Sequence, residues 1–391
     1  MALATSTLAS RIGAAASALA IGVTLAACGS SASGSSASAG GAGSAAGTAY
    51  ATKQLNAATA PAGSFPPPGP AINVSKLRGS TVDFIPLGLK PPYTVVVQAE
   101  LKGALAKAGI TLRTCDGQLT PSVIQGCLNQ AVSDGSSAVI TDYIPYDLAP
   151  NAVQQLIAKG KPVFMAGSYR PASVPSKAKI AFSNPDDVEA VSTRLAADAV
   201  IQDSKGTAKA LVIKLTSVPS AARAGDAAVR EFKGHCQGCQ VTVKDFDSTN
   251  LPQLPSEVAS ALLRNPGINY IIPQTETVLP GAIAGAQSAG ATAKVKFATT
   301  TGTLAGLQQL NADPAMLADA GYSATYAAWT EADATMRMML GKPLPHYGSL
   351  VRVFDRGNVK QLALTPAGQD SGSWYGSTSY QAAFLKAWGR S

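Results

Sequence analysis

The sequence predicts an α/β protein with two lobes, each built on a doubly wound parallel sheet. From residue 81 onward, short apolar runs alternate with segments of helical length. The apolar runs are continuous rather than alternating, which is typical of strands buried on both faces of a parallel sheet. About ten such units are too many for one small sheet. The second half also repeats the strand–helix order of the first half, so we predict two sheets.

The predicted elements follow one another regularly along the chain. The predicted strands lie at residues 81–87, 110–114, 138–141, 162–166, 179–182, 208–215, 240–246, 268–272, 294–299 and 317–320. The predicted helices lie at residues 94–108, 121–133, 148–159, 188–203, 221–233, 256–264, 279–289 and 325–340. Gly109, Gly160 and Gly290 stand just past predicted helices, where a left-handed cap favours glycine.

The composition is that of a folded protein rather than of a disordered chain. Of 391 residues, 46% are hydrophobic and only 14% are charged, which is enough apolar material for a sizeable core. The net charge of +8 is spread along the chain instead of forming a basic face beside aromatic residues. We therefore expect no binding of nucleic acid.

The N-terminus predicts export and lipid attachment. Arg11 precedes an uncharged, mostly apolar run at 12–27, which is too short for a comfortable membrane span. The run ends in Leu25-Ala26-Ala27-Cys28, the lipobox pattern of bacterial lipoproteins, although a plain secretory signal with an incidental cysteine is the alternative. We predict a signal peptide at 1–27, a lipid on Cys28 as the only membrane attachment, and a flexible Gly/Ser/Ala/Pro-rich tether at 28–78. The protein would then sit on the outer face of the cytoplasmic membrane.

Export favours disulfide bonds between the other four cysteines. Cys115 should close a strand and Cys127 lies in the next predicted helix, while Cys236 and Cys239 form a CxxC pair. Local pairing, Cys115 with Cys127 and Cys236 with Cys239, is the preferred prediction. A redox pair, a metal site with His235 and reduced thiols are the alternatives; a metal site would lack a fourth ligand nearby.

Signatures of catalysis are missing from the sequence. There are two histidines, His235 and His346, and no nucleophile elbow, phosphate-binding loop, dinucleotide fingerprint or HExxH motif. The carboxylate pairs Asp186/Asp187 and Asp245/Asp247 suit a helix start and a strand end. We therefore expect no catalytic residues, no metal and no cofactor.

Several short motifs stand in an order that carries a family resemblance. They are Tyr93 after a Pro-Pro turn, Val139-Ile-Thr-Asp142, Gly160-Lys-Pro-Val163, Phe182-Ser-Asn-Pro185, Ser220-Ala-Ala-Arg223-Ala-Gly225, Gln274-Thr-Glu-Thr277, Gly341-Lys-Pro-Leu344 and Tyr380 to Trp388. From about residue 82 to residue 353 the chain thereby resembles the periplasmic ribose/galactose-binding protein family of ABC sugar importers. The resemblance implies the type I periplasmic binding protein fold, with a three-strand hinge crossing near Ser183, Ser323 and Tyr347. The lobes would comprise 79–183 plus 323–347 and 184–322 plus 348–364, with a tail at 365–391 packing on them.

The resemblance also implies a set of ligand-binding residues. Arg223 stands where the family uses an arginine to hold ligand oxygens, and Tyr93 where an aromatic ring stacks on a sugar. The two are expected to face each other across the closed cleft; an exposed helix arginine and an exposed turn tyrosine are the alternatives. The full predicted set is Tyr93, Asp142, Tyr143, Ser168, Tyr169, Arg170, Arg223, Gln274, Thr275, Thr301 and Tyr322.

The chain departs from the family pattern at three places. Gly167-Ser168 stands where the family has Asp-Arg, Thr299-Thr-Thr301 stands where it has a binding aspartate, and Tyr322 replaces a hinge glutamine. From these departures we expect a cleft that lacks the usual carboxylates. A less hydroxylated, aromatic or anionic ligand therefore competes with a sugar.

Together these features predict an exported, monomeric solute-binding lipoprotein. It would capture a sugar or sugar-like small molecule between its lobes and deliver it to an ABC permease. A sensory receptor that presents its ligand to a membrane kinase would share all these residues. An exported enzyme is disfavoured by the missing catalytic groups.

Overall fold

The computed structural model describes residues 39–174, 179–183 and 187–390. The predicted signal peptide at 1–27, the predicted lipid site Cys28 and part of the first crossing, at 184–186, lie outside these residues. The strands are β1 (Thr81–Pro86), β2 (Thr111–Thr114), β3 (Ala138–Asp142), β4 (Val163–Ala166), β5 (Ile180–Ser183), β6 (Lys209–Leu215), β7 (Gln240–Phe246), β8 (Tyr270–Pro273), β9 (Lys296–Thr301), β10 (Met316–Tyr322) and β11 (Val351–Asp355). The helices are α1 (Ala39–Thr59), α2 (Pro92–Lys107), α3 (Pro121–Ser133), α4 (Pro150–Ala158), α5 (Val188–Asp203), α6 (Pro219–His235), α7 (Leu254–Arg264), α8 (Leu279–Ser288), α9 (Leu304–Ala312), α10 (Ala324–Met339), α11 (Pro366–Asp370) and α12 (Tyr380–Ala387).

The strands form two sheets, as the sequence predicts. The first sheet has the order β2-β1-β3-β4-β5 and is parallel throughout. The second has the order β11-β10-β9-β8-β6-β7 and is parallel except for β11, which runs antiparallel to β10. In both sheets the first strand pairs with the second and the third, so the strand order reverses beside it. Both are thus doubly wound, and the predicted fold class is confirmed.

The chain passes between the two lobes three times. It leaves the first sheet after β5, and α5 packs on β9 and β10 of the second sheet. It returns after β10, because α10 packs on α2 and β3 of the first lobe. It leaves again before β11. The strand β11 is missing from the sequence prediction, because its run Val-Arg-Val-Phe-Asp contains Arg352 and Asp355 and is not a continuous apolar run.

The structure of residues 39–78 differs from the flexible tether that the sequence predicts. The helix α1 spans 21 residues and packs on α5, α6 and β11, burying Ala51 and Leu55. Gly47 lies so close to the carbonyl of His235 that a Cβ atom would collide with it. The composition that suggested a tether suits this helix, because alanine is the best helix former and small residues allow close packing. The tether prediction is wrong for this segment.

The chain after α1 continues as an ordered strap onto the first lobe. The hydroxyl of Tyr326 donates to the carbonyl of Pro66 over 3.2 Å. The buried guanidinium of Arg337 donates to the carbonyls of Pro68 and Pro70, each over 2.7 Å. Proline carbonyls remain good acceptors although proline has no N–H, so the proline run is held rather than free.

The C-terminal tail also contacts both lobes. The ring of Trp388 stacks on Trp329 of α10 at 5.4 Å, and its Nε1 donates to Asp333 over 2.7 Å. The hydroxyl of Tyr375 donates to the carbonyl of Gly302 in the second lobe over 2.9 Å. Burying an aromatic ring of this size contributes about 1.5–3 kcal/mol, so the tail is part of the core.

Both predicted disulfides are present. Cys115 follows β2 and joins Cys127 on α3, and Cys236 joins Cys239 in the turn between α6 and β7. The second bond closes the turn that leads into an edge strand of the second sheet. Across the described ranges, every helix is too short or too polar to cross a lipid bilayer.

Candidate ligand-binding site

A cavity of about 280 Å³ lies between the lobes, beside the three crossings. Ser183 at the end of β5, Ser323 before α10 and residues 344–350 before β11 all line it. The strands β3 and β10 end at the cavity with Asp142 and Tyr322. In doubly wound sheets ligands bind beyond the carboxyl ends of the strands, so the cavity lies where this fold favours binding.

Three tyrosines form an aromatic wall of the cavity. The ring of Tyr93, at the start of α2, lies 4.9 Å from the ring of Tyr322 and 6.2 Å from the ring of Tyr143. Burial raises the pKa of all three phenols well above the ordinary value, so they are neutral at physiological pH. Such rings offer a flat apolar face together with a hydroxyl group.

The position of the Tyr143 ring depends on a left-handed backbone conformation at Tyr143 and on the neighbouring Gly167. Its φ is 57°, a left-handed conformation that costs energy for a tyrosine. Gly167 has a φ of 62°, and a Cβ atom there would lie 2.8 Å from the Tyr143 ring. The glycine at this departure from the family pattern therefore makes room for the aromatic wall.

Three buried carboxyl groups also line the cavity: Asp142, Glu189 and Glu331. They come from the end of β3, the first turn of α5 and the middle of α10, so both lobes contribute. Their residues are only 2%, 7% and 4% exposed. The cavity therefore contains carboxyl groups although the usual carboxylates of the family pattern are replaced in the sequence, and Glu189 and Glu331 come from helices rather than from strand ends.

Burial governs the ionisation of these three groups. Burial, reinforced by the charge of Glu189, raises the pKa of Asp142 to about 7. Burial also raises the pKa of Glu189 to about 7, against the opposing effect of the nearby Tyr143 and Ser220 hydroxyls. The pKa of Glu331 is raised well above its ordinary value by burial and then by the charge of Asp142. Desolvation of this kind disfavours the ionised form until a partner arrives.

Arg223 makes a contact across the cleft. It lies in the first turns of α6 in the second lobe, and its guanidinium lies 4.2 Å from the centroid of the Tyr169 ring, which follows β4 in the first lobe. The predicted facing partner, Tyr93, lies instead in the aromatic wall. A cation over an aromatic face is attractive, so this pair favours the closed arrangement of the lobes.

The other predicted site residues make contacts outside the lining of the cavity. Ser168 is buried and donates to the carbonyl of Ile144 over 2.9 Å, and Arg170 lies over the ring of Phe182 at 4.9 Å. The side chain of Gln274 accepts from the amide of Leu215 and donates to the carbonyl of Ala221, which joins the end of β6 to α6. Tyr169, Arg223, Thr275 and Thr301 also lie outside the lining of the main cavity. Thr301 borders a small space beside Tyr375 of the tail, with a strained φ of 120°.

The comparisons with known proteins bear on the fold. No family model and no curated protein matches the chain. Among solved structures, a 5-methylthioribose transporter solute-binding protein from Thermotoga lettingae is similar with a TM-score of 0.66 at 12% identity, covering 79% of this chain and 99% of its own. A sugar ABC transporter protein from Yersinia enterocolitica has a TM-score of 0.64 at 16% identity, covering 80% and 97%. A myo-inositol binding protein from Caulobacter has a TM-score of 0.62 at 20% identity, covering 73% and 97%.

The chain has a type I periplasmic binding protein fold. Nearly the whole length of each of these solved structures is matched, so the similarity covers both lobes and the hinge.

Two of the carboxyl residues that line the cavity, Glu189 and Glu331, are not among the site residues that the sequence predicts. Glu189 stands within one turn of the first crossing, and Glu331 stands in a helix whose neighbours Thr330 and Ala332 are also buried. A glutamate among buried residues of a helix is an available signal, because charged groups are rarely buried without a function.

Proposed function

We propose that this protein is an extracytoplasmic solute-binding protein. It captures a small molecule in the cavity between its lobes and delivers it to an ABC importer, without catalysing a reaction. It works as a monomer and reaches its permease while attached to the membrane by a lipid on Cys28.

The cavity at the hinge carries this proposal. It is lined by all three crossing segments, so any rotation of one lobe relative to the other changes its volume and its access to solvent. Arg223 and Tyr169 meet across the cleft, which supports a closed form stabilised by contacts between the lobes. A ligand that contacts both lobes would bind the closed form selectively and would thereby signal occupancy to a permease.

A sugar or sugar-like ligand fits the cavity chemistry. Tyrosine faces suit stacking on a sugar ring, and carboxylates are strong acceptors for hydroxyl groups. The solved structures of similar fold include proteins with bound 5-methylthioribose, D-allose and myo-inositol. The anionic alternative is disfavoured, because Asp142, Glu189 and Glu331 would repel an anion in a poorly solvated site.

Native mass spectrometry of the purified protein tests the proposal. We expect the purified protein to retain a small molecule. When that molecule is removed by mild unfolding and refolding, we expect the radius of gyration from small-angle scattering to increase. A Tyr93→Ala variant should retain less of the molecule, whereas Tyr270→Ala, in the second lobe away from the cavity, should retain it if folded. Absence of any retained molecule, together with no change in dimension on adding metabolite mixtures, would contradict the proposed function.

The anchoring proposal has its own test. Cys28→Ser should release the protein from the membrane fraction, because across the described ranges no helix can span a bilayer and the acyl chains would be the attachment. A salt wash of the native membranes serves as the control, since it removes proteins held only by charge. Retention of the Cys28→Ser variant after this wash would contradict lipid anchoring.

A further inference from the structure

The charge of the cavity is opposite to the charge of the chain. The full sequence has 31 basic and 23 acidic residues, giving a net charge of +8. Among the described residues, the cavity lining nevertheless contains the carboxyl groups of Asp142, Glu189 and Glu331, no lysine or arginine, and a single histidine, His346, that can carry positive charge. This local acidity is therefore a property of the site and not of the composition.

Each carboxyl group presents an unused acceptor. Among the described residues, no hydrogen-bond donor reaches Oδ2 of Asp142, Oε2 of Glu189 or Oε2 of Glu331. Each of these residues is more than nine-tenths buried, so bulk water does not compensate the loss. A buried acceptor without a partner destabilises a protein, and three in one cavity indicate a missing donor.

A metal ion does not supply that donor. Within the described residues, no group of three or more histidine, cysteine or acidic side chains converges closely enough to hold an ion. The three carboxylates are instead spread around a cavity of about 280 Å³ whose walls include Tyr93, Tyr143 and Tyr322. A cation with an organic body would fill the space and reach the acceptors.

We propose that the ligand is a protonated amine, a small organic cation with N–H donors; amino sugars are the sugar-like members of this class. Its charge lies among Asp142, Glu189 and Glu331, and its body packs against the three tyrosines of the aromatic wall. This inference rests on the proposed function, because it names the ligand class of the same cavity. Charge-assisted hydrogen bonds and aromatic faces both favour a cation over a neutral molecule of the same shape.

Binding of such a cation should release protons. In the ligand-free cavity, burial raises the pKa of Asp142 and of Glu189 to about 7, so both are partly protonated at neutral pH. A bound cation stabilises their ionised forms and lowers both pKa values. The groups that face these two carboxyls are Glu331, Asp187, His346 and the three wall tyrosines. Neutral ligands of the same shape should release few protons.

Matched pairs of ligands test the inference directly. The pairs are tyramine with tyrosol and glucosamine with glucose, each measured by titration calorimetry at neutral pH in phosphate and in Tris. In at least one pair we expect the cation to bind at least about tenfold more tightly than its neutral partner. We also expect its apparent enthalpy to differ between the two buffers, since the released protons are taken up by them.

Two charge-removing variants and one control complete the experiment. Asp142→Asn and Glu331→Gln keep the shape of the side chains and should weaken cation binding by about tenfold or more. Asp142→Asn should also reduce the proton release. Asp198→Asn is the matched control, because Asp198 is equally buried in α5 with unpartnered oxygens but does not line the cavity. It should leave cation affinity unchanged.

The outcomes separate this inference from the proposed function. If the neutral member of every pair binds as tightly as the cation, or if no cation binds at millimolar concentration, the inference is wrong. If glucose or another neutral molecule then binds and closes the lobes, capture of a small molecule still stands. If no molecule is retained or closes the lobes, both proposals fail.

Discussion

Single residues set the chemistry of this protein through burial. Asp142, Glu189 and Glu331 are ordinary carboxylic acids in the sequence and unusual ones in the structure, because the fold removes water from around them. Tyr143 and Gly167 show the same effect on the backbone, since each has a left-handed conformation next to the cavity. Backbone strain and displaced pKa values are both typical of functional sites and support this place as the candidate site.

Stability should depend on pH through Asp142. Its pKa is 3.8 in the ordinary state and about 7 in the fold, so the folded protein binds more protons between those values. The free energy of unfolding therefore decreases as pH rises through this window. In Asp142→Asn this contribution is absent, so the melting temperature of the variant relative to the native protein should be higher at pH 8 than at pH 5. Parallel melting curves against pH would contradict this explanation.

The Gly167 position should tolerate no side chain. Gly167→Ala places a methyl group 2.8 Å from the Tyr143 ring at a φ of 62°. The left-handed backbone alone costs about 1–2 kcal/mol, and displacing the ring adds about 1 kcal/mol or more. Gly290→Ala is the matched control, with a φ of 64° and open space around it. Chemical denaturation should show a larger loss for Gly167→Ala, and equal losses would mean that the ring moves freely.

At the scale of elements, helix α1 shows how composition can mislead. A segment of alanine, glycine, serine and threonine has too few large apolar residues to form a core alone, which is why the sequence predicts a tether. In the structure α1 packs against the existing hydrophobic core of the second lobe. A small apolar stripe, with Ala51 and Leu55 at its centre, is enough when the partner surface already exists.

Leu55 therefore provides a test of the packing of α1 on the second lobe. Leu55→Ala should destabilise the protein by about 2–3 kcal/mol, because the residue is 5% exposed and packs into the second lobe. Lys53→Ala, two residues away on the exposed face, should change the stability little. The measurement is urea denaturation of both variants and the native protein. Unchanged stability in Leu55→Ala would support a free tether after all.

At the scale of the whole molecule, the strap and the tail flank the hinge. The strap bonds to α10 of the first lobe through Pro66 and Tyr326, and it continues from α1, which packs on the second lobe. The tail bonds to α10 through Trp388 and to the second lobe through Tyr375 and Gly302. The lobes are therefore joined by the three crossings and by two further segments. Contacts of this kind favour motion about the hinge over separation of the lobes.

Arg223 should stabilise the closed form. The pair with Tyr169 is exposed at the arginine and should be worth about 0.5–1 kcal/mol, so Arg223→Ala should weaken ligand binding about two- to fivefold. The melting temperature of the ligand-free protein should change little. Arg230→Ala, exposed on the same helix, is the control and should leave the affinity unchanged. Calorimetry with the tightest-binding cation of the panel decides. A hundredfold loss in Arg223→Ala would instead indicate a direct contact with the ligand.

The sequence alone determined the architecture of this protein. The alternation of short apolar runs with helical segments identified all ten described parallel strands, and strands such as β3 and β4, which are buried throughout, need no partner information to be recognised. The cysteine spacing indicated the two local disulfides. Of the site, it identified Asp142, Tyr143 and Tyr322, which lie at the carboxyl ends of strands or directly after them, and Tyr93 at the start of α2.

Only the tertiary structure decided which carboxyl groups line the cavity and that α1 is ordered. Both depend on contacts between segments that are far apart in the sequence. Glu189 and Glu331 meet Asp142 only after two lobes and a hinge are in place, and α1 is ordered only because the second lobe covers it. Gln274, which the sequence places in the site, instead joins β6 to α6. Burial, which no local pattern records, turned three common carboxyl groups into a candidate binding site for a cation.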